Sequence, residues 1–312
     1  MYNNNNTEAI RFPSSAQRLD FEEESDESIT ENFVKKRIFQ ITFDFACIII
    51  TFVAFILVYL YVDPKNGVLF CNDTDIFNPY YDDTIAFWVV GIYATIGPIL
   101  FIIFIELINS KLILCKNKLK ITKKRKLFVI SFLHGLTLFI LGIGITLLVT
   151  EIGKRWVGRL RPHFMSVCKP NYASLNCTTT YGANEIYNPV DTSNICTGLA
   201  SAVKEARVSF PSGHSSYSTY CMLFLIIYIQ ARLHLLVLRF LKPLFQMTAF
   251  IAAYVTCLSR ISDYHHRGSD VIGGVVVGVI VAVLVTFGVG RVIWEYNYKP
   301  MITDFSLKKS KN

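Results

Sequence analysis

Charged residues are scarce in this sequence. Of its 312 residues, 17% are Asp, Glu, Lys or Arg, 52% are hydrophobic, and the mean hydropathy is +0.41. A soluble domain of this length carries about 25% charged residues, so the composition excludes a water-soluble globular fold. The formal net charge is +8, but Lys and Arg are divided among short loops and form no single stripe. That distribution excludes nucleic acid as a partner.

Two further absences narrow the possibilities. No Cys is followed six residues later by Arg, which excludes the phosphate-binding loop of the cysteine phosphatases. Residues 1–37 contain no long apolar run and include an Asn run and an acidic patch. Such a segment cannot bury a core, so we expect it to be disordered. We also expect no cleavable signal peptide, because the first apolar run starts late and is too long.

Six apolar segments follow, each near the roughly 20 residues that a helix needs to cross a bilayer. They are Ile38–Val62, Thr84–Ile108, Leu127–Thr150, Ser215–Ala231, Leu244–Leu258 and Val271–Trp294. The start of the fifth is uncertain because Pro243 lies there. The sequence therefore predicts an all-α, polytopic membrane protein. Its membrane domain would cover residues 38–295, and residues 296–312 would form a tail.

The distribution of Lys and Arg predicts the orientation. Eight Lys and Arg residues lie between Lys111 and Lys126 in the loop after the second span, whereas the loop after the first span has only Lys65. Cytoplasmic loops concentrate these residues, so both termini are expected in the cytoplasm and loop 151–212 outside. The glycosylation sequons at Asn72 and Asn176 fall in the outside loops, as this orientation requires.

Cysteine usage agrees with an oxidising outer compartment. Four Cys lie in the outside loops, and four Cys allow three pairings: Cys71, Cys168, Cys177 and Cys196. We favour a bond between Cys196 and either Cys168 or Cys177.

Three polar stretches lie at the outer ends of the predicted spans: 154–162, 210–215 and 258–270. His266 and Asp270 are four residues apart, so on a helix they would share one face. A carboxylate that binds one imidazole nitrogen leaves the other as a lone pair. We therefore predict that His266 is a nucleophile and that Asp270 orients it.

The other polar residues suit an anionic substrate. His214 could act as a general acid and base. Ser212 could cap the fourth span, and the backbone N–H groups near Gly213 would face an anion. Lys154, Arg161 and Arg260 would supply fixed positive charge. This set of groups suits phosphoryl transfer in which the cations replace a metal ion, so we expect no metal or other cofactor.

Together these stretches resemble the lipid phosphate phosphatase family, the type 2 phosphatidate phosphatases, and in particular its animal plasma-membrane members. The matching residues are Lys154…Arg161-Pro162, Pro211-Ser212-Gly213-His214 and Ser259-Arg260…His266…Asp270. The resemblance implies a six-helix fold with the site facing outside or the lumen. It also implies Mg²⁺-independent dephosphorylation of phosphatidate, lysophosphatidate, ceramide 1-phosphate and sphingosine 1-phosphate.

Alternatives stay open at this point. A catalytically silent, lipid-binding relative would share the fold, and headgroup transferases and glucose 6-phosphate phosphatases resemble the same chemistry. Gly274 and Gly278 could pack within the chain or form a homo-oligomer contact, and we favour the first.

Four charged residues receive structural interpretations. We expect Arg155 and Arg159 to contact lipid headgroups, Asp263 to be a solvated loop residue, and Glu106 to reach the cytoplasmic interface. We interpret His265 as a bystander, because it lies next to His266 but off its face.

Overall fold

The computed structural model describes residues 39, 41–70, 72–116, 121–171, 175, 178–181, 184–187, 190–192, 195–233 and 240–289. The predicted segment 1–37 and the tail 296–312 lie outside the described residues. The described residues from Asp44 onward form one compact unit.

Nine α-helices account for most of the described chain. They are α1 (Ile41–Tyr61), α2 (Phe87–Gly91), α3 (Gly97–Lys116), α4 (Ile121–Val157), α5 (Phe164–Cys168), α6 (Ala200–Glu205), α7 (Gly213–Arg232), α8 (Leu241–Ser262) and α9 (Gly268–Val283). A π-helical stretch, Ile92–Ile96, joins α2 to α3, and another, Leu284–Val289, extends α9.

Five helical segments of the described chain are long and apolar enough to cross a membrane: Ile41–Tyr61, Phe87–Lys111, Phe128–Val157, Leu241–Ser262 and Gly268–Gly288. They correspond to five of the six predicted spans. The uncertain fifth prediction begins at Leu241, which places Pro243 in the first turn of α8, where proline is tolerated.

The remaining predicted span, Ser215–Ala231, lies in α7. This helix has 20 residues, as long as a membrane-spanning helix, but carries many Ser, Thr and Tyr residues. Thirteen of its residues are buried, and it packs against α3, α4, α8 and α9. Because protein rather than lipid surrounds it, α7 can carry polar side chains that the outer helices cannot.

Close packing of α7 on α9 depends on two small residues. A Cβ added to Gly274 would lie 2.5 Å from the carbonyl oxygen of Ser212, and one added to Gly278 would lie 2.6 Å from that of Ser216. The expected packing of this pair within the chain is therefore confirmed.

The outer surface is apolar and the interior contains polar groups. Large hydrophobic side chains such as Leu57, Trp88 and Phe250 are at least 50% exposed, whereas Glu106 is 1% exposed. A soluble protein shows the opposite distribution. Together with the length of the helices, this identifies a multi-pass membrane protein.

Glu106 corrects one expectation. It does not reach the interface but lies buried against α7, where it accepts hydrogen bonds from Arg232 Nε at 2.9 Å, Arg232 Nη2 at 2.8 Å and the Tyr228 hydroxyl at 2.8 Å. A buried carboxylate persists only when it is paired in this way.

The loops after α1 and after α4 form one layer. Strand β1 (Val68–Leu69) pairs antiparallel with β4 (Val190–Asp191), and β2 (Thr178–Tyr181) pairs with β3 (Asn184–Tyr187). Hydropathy alone predicts neither of these small sheets. A disulfide joins Cys168 to Cys196, one of the two pairings favoured from sequence, whereas Cys71 and Cys177 lie outside the described residues.

Candidate active site

Hydrogen bonds join the three polar stretches at one end of the helices. The backbone N–H of Ser212 donates to the carbonyl of Asp270 at 3.0 Å, which joins the second stretch to the third. Arg159 Nη1 donates to Asp270 Oδ1 at 2.7 Å, which joins the first stretch to the third. The residues singled out from the sequence therefore lie around one site.

His266 is buried, and its orientation is set by a backbone carbonyl. Its Nδ1 lies 2.7 Å from the carbonyl oxygen of Ser209. A carbonyl can only accept a hydrogen bond, so the proton is on Nδ1 and Nε2 carries the lone pair. A nucleophile needs this tautomer.

The prediction that His266 and Asp270 share one face of a helix is wrong. Helix α9 begins at Gly268, and Arg267 is its N-cap residue, so His266 precedes the helix. Asp270 instead accepts from the Ser209 hydroxyl at 2.6 Å and from the Arg267 N–H at 3.0 Å. The Asp270 carboxylate therefore binds the hydroxyl of Ser209, and the carbonyl of Ser209 binds His266. Asp270 is linked to His266 indirectly, through Ser209.

Electrostatics keep His266 neutral. Burial lowers the pKa of His266 well below its ordinary value, because the charged imidazolium would lose its hydration. The positive charges of Arg161 and Lys154 and the nearby His214 lower the pKa further. A neutral imidazole next to fixed cations has an available lone pair at physiological pH.

The start of α7 brings His214 beside the cations. Ser212 occupies the N-cap position, but its hydroxyl accepts from Ser215 Oγ at 3.0 Å and does not cap the helix as expected. A Cβ added to Gly213 would lie 3.3 Å from Lys154 Nζ, so glycine leaves room for that ammonium group. The N–H groups of the first turn of α7 thus lie next to a lysine, as an anion site requires.

Arg260 is almost completely buried, at 1% exposure. Its Nη1 lies 3.4 Å from His214 Nε2 and donates to Asp83 Oδ1 at 2.6 Å. Its Nη2 donates to Asp263 Oδ2 at 3.0 Å. These bonds hold the guanidinium beside His214.

The other two cations also have carboxylate partners. Arg161 forms an ion pair with Glu205 and lies 3.4 Å from His265 Nδ1, and Lys154 Nζ is 3.6 Å from Glu151. Glu205 is 63% exposed, so its competition with a bound anion is weakened by water.

Several site residues were not found from sequence. Ser209 had no motif around it, and Asp83 lies 177 residues before Arg260 in the chain. Burial would raise the pKa of Asp83, but the hydrogen bond and charge of Arg260 hold this pKa below its ordinary value. No local pattern predicts a contact over such a separation.

Three structural interpretations are corrected. Asp263 is buried and accepts from the backbone N–H of Thr84 at 2.8 Å, so it is not a solvated loop residue. Arg155 is buried and pairs with Glu151 at 2.7 Å rather than with headgroups, and Arg159 pairs with Asp270.

His265 has two partners near the site, since its Nε2 lies 3.0 Å from the carbonyl oxygen of Tyr81 and 3.3 Å from Asp83. Burial, followed by the charge of Arg161, lowers its pKa.

One of the two predicted glycosylation sites, Asn72, is among the residues that the structure describes. Asn72 is exposed in the loop that carries β1, on the side of the molecule that holds the site. Asn176 lies outside the described residues.

The fold and the site define a multi-pass membrane protein with a cluster of histidines and fixed cations at the helix ends. The model of the PAP2 superfamily matches residues 135–294. Phospholipid phosphatase 1 of Rattus norvegicus is 34% identical over 256 residues, which cover 81% of this chain and 86% of that protein. Phospholipid phosphatase 2 of Mus musculus is 33% identical over 241 residues, which cover 77% and 82%.

The chain therefore belongs to the PAP2 superfamily, and within it to the lipid phosphate phosphatases. No solved structure matches it.

Proposed function

We propose that this protein hydrolyses lipid phosphate monoesters without Mg²⁺, through a phosphohistidine on His266. The substrates would be phosphatidate, lysophosphatidate, ceramide 1-phosphate and sphingosine 1-phosphate, and the products a lipid alcohol and inorganic phosphate. The observation that carries the proposal is the buried His266, whose Nδ1 lies 2.7 Å from the carbonyl oxygen of Ser209 and whose imidazole interacts with the charges of Lys154 and Arg161.

In the first step, Nε2 of His266 attacks phosphorus and the bond between phosphorus and the lipid oxygen breaks. His214 starts this step as the imidazolium, the form that a bound phosphate anion favours, and donates its proton to that oxygen, so that the lipid alcohol leaves and His214 becomes neutral. In the second step, His214 takes a proton from water, the water oxygen bonds to phosphorus, and the P–N bond breaks. Inorganic phosphate leaves and His266 returns to its starting state.

Fixed cations would stabilise the equatorial oxygens of the transferring group. Lys154, Arg161 and Arg260 are held by carboxylates and backbone carbonyls, so little reorganisation is needed when charge develops. The N–H groups at the start of α7 add to the same field. These groups would do the electrostatic work of a metal ion.

A membrane location suits the substrate. The site lies at the ends of the apolar helices, at the depth of lipid headgroups, so a phosphate ester can enter from the bilayer. The Cys168–Cys196 disulfide in the adjacent loop supports an extracellular or luminal site, with both termini cytoplasmic. We place the protein in the plasma membrane.

The test is phosphate release from phosphatidate by the purified protein in detergent with excess chelator. We expect release from the wild type and none from His266→Ala. His134→Ala is the matched control, because His134 lies in α4 about 30 Å of helix away from Lys154. Release by His266→Ala would refute the nucleophile, and binding without release by the wild type would favour a silent lipid-binding protein.

Rapid quenching with labelled substrate tests the intermediate. A phosphohistidine is labile in acid and stable in alkali, so the labelled wild-type protein should lose its label only on acid treatment. A label that resists acid would place the phosphoryl group on another residue type.

Glycosylation tests the orientation. Enzymatic deglycosylation should shift the wild-type protein on a gel, and Asn72→Gln should remove part of that shift. A third sequon, Asn5-Asn6-Thr7, lies in the segment that this orientation places in the cytoplasm, so a glycan on Asn5 would reverse the orientation.

A further inference from the structure

Phe87 is an exposed aromatic residue in contact with the histidine assigned as the general acid. Its ring lies edge-on to the His214 imidazole, with 5.2 Å between the ring centroids, and is 49% exposed. A second contact, with Tyr217 at 6.0 Å, lies on the protein side. One side of the His214 imidazole therefore contacts an apolar ring that is itself half exposed at the protein surface.

The segment that carries Phe87 is fixed to the site. Arg260 Nη2 donates to the carbonyl of Ile85 at 3.1 Å, and Asp263 accepts from both the backbone N–H and the hydroxyl of Thr84, at 2.8 and 2.6 Å. These bonds tie the residues just before α2 to the end of α8. The position of Phe87 relative to His214 is thus set by buried, charge-assisted hydrogen bonds.

An exposed apolar surface leads from the bilayer to this ring. Phe87 begins the membrane-spanning segment Phe87–Lys111. Below it, Trp88, Ile92 and Ile96 recur at intervals of four residues and are each about half or more exposed. Residues at this spacing share one helix face, and this exposed face begins at Trp88, the position next to Phe87.

The chemistry of the reaction indicates what meets this surface. If His214 protonates the oxygen that leaves phosphorus, the group attached to that oxygen must lie on the His214 side of the phosphate. For a lipid phosphate, that group is the lipid alcohol, whose apolar chains avoid water.

We propose that Phe87 and the top of α2 form the subsite for the apolar leaving group, so that Phe87 selects lipid phosphate esters over polar ones. This inference rests on the proposed function, in particular on the role of His214. It adds a residue outside the three polar stretches that contacts the substrate and determines specificity.

The test compares Phe87→Ala with the wild type on two ligands that share the phosphate pocket. Dioleoyl phosphatidate in mixed micelles occupies the pocket and the leaving-group subsite, whereas vanadate occupies the pocket alone. We expect kcat/KM for phosphatidate to fall about tenfold, the range for a lost apolar contact with a substrate. The inhibition constant of vanadate should stay within about twofold, because vanadate has no apolar group.

Two further variants keep the test decisive. Phe87→Leu retains an apolar side chain and should keep kcat/KM within about threefold of the wild type. Phe250→Ala is the matched control, since Phe250 is a phenylalanine of similar exposure (53%) on α8, outside the proposed subsite, and should change neither quantity. An equal loss of phosphatidate turnover and vanadate affinity in Phe87→Ala would overturn the inference and assign Phe87 a packing role.

Unchanged turnover in Phe87→Ala would also overturn it. A wild-type protein that binds vanadate but releases no phosphate would contradict the proposed function instead, so the two failures are distinguishable.

Discussion

Ser209 connects Asp270 to His266, and removing its hydroxyl tests whether the carboxylate acts through this connection. The Ser209 hydroxyl donates to Asp270 at 2.6 Å, and the Ser209 carbonyl lies 2.7 Å from His266 Nδ1. Ser209→Ala removes the first bond and leaves the second acceptor in place. The variant therefore keeps the carbonyl that His266 contacts but removes the bond by which Asp270 would fix the position of that carbonyl.

The structure sets the expected magnitude. Ser209 and Asp270 are both fully buried, and a buried hydrogen bond to a charged group contributes roughly 1.5–3 kcal/mol to stability. Asp270 keeps its bonds to Arg159 and to the Arg267 N–H, so the fold should persist. If about half of that energy, roughly 0.75–1.5 kcal/mol, positions His266 in the transition state, kcat falls about 4- to 13-fold.

Asp270→Asn should have the larger effect, roughly 10²- to 10³-fold in kcat, because the negative charge is lost as well. The double variant should be no slower than Asp270→Asn alone, since both changes break one linkage. The assay is phosphate release together with the rate of phosphoenzyme formation. Ser218→Ala is the control, because its hydroxyl is also buried but donates to the carbonyl of Ser215 within α7.

One result would refute this reasoning. If Ser209→Ala kept wild-type kcat while Asp270→Asn were inactive, the carboxylate would have to act on His266 directly in the working enzyme. The arrangement of two steps would then have no catalytic role.

Three other predictions concern stability in detergent, measured by thermal unfolding. Glu106→Gln should destabilise the protein by about 3 kcal/mol, because Arg232 loses the carboxylate of a buried pair; an unchanged Tm would contradict this. Asp263→Asn should lower the Tm, because Thr84 and the Arg260 guanidinium lose the charged acceptor that they share. Asp63→Asn is the control: Asp63 pairs with Lys204 at the surface, so this substitution should leave the Tm unchanged. Burial lowers the pKa of His163 from 6.5 to about 4, so the unfolded chain binds more protons in this window and stability should fall as the pH drops from 6.5 towards 4. His163→Asn should show a smaller fall between pH 7.5 and pH 5, and an identical fall would contradict the assignment.

Much of the fold could be predicted because hydropathy acts locally. A helix that faces lipid must be apolar over about 20 residues, and five of the predicted spans match helices of that kind in the described chain. Hydropathy describes α7 least well, because other helices rather than lipid surround this helix. Its Ser and Tyr residues meet partners that only packing supplies, such as Thr150 for Ser216 at 2.8 Å.

The candidate site could be located from sequence because its cations and histidines recur at fixed spacings next to span ends. How these residues contact one another could not be predicted. A spacing of four residues implies a shared face only inside a helix, and α9 begins two residues after His266. The partner of His266 therefore comes from a position 57 residues away in the chain.

The sequence by itself determined the membrane fold and the set of side chains predicted to do phosphoryl chemistry, since both depend on residue types and local spacing. Only the tertiary structure decided that Ser209 holds His266, that Asp83 and Asp263 hold Arg260, and that Phe87 lies against His214. These contacts join segments that are far apart in the chain. They form because buried polar groups must find partners wherever the packed helices place them.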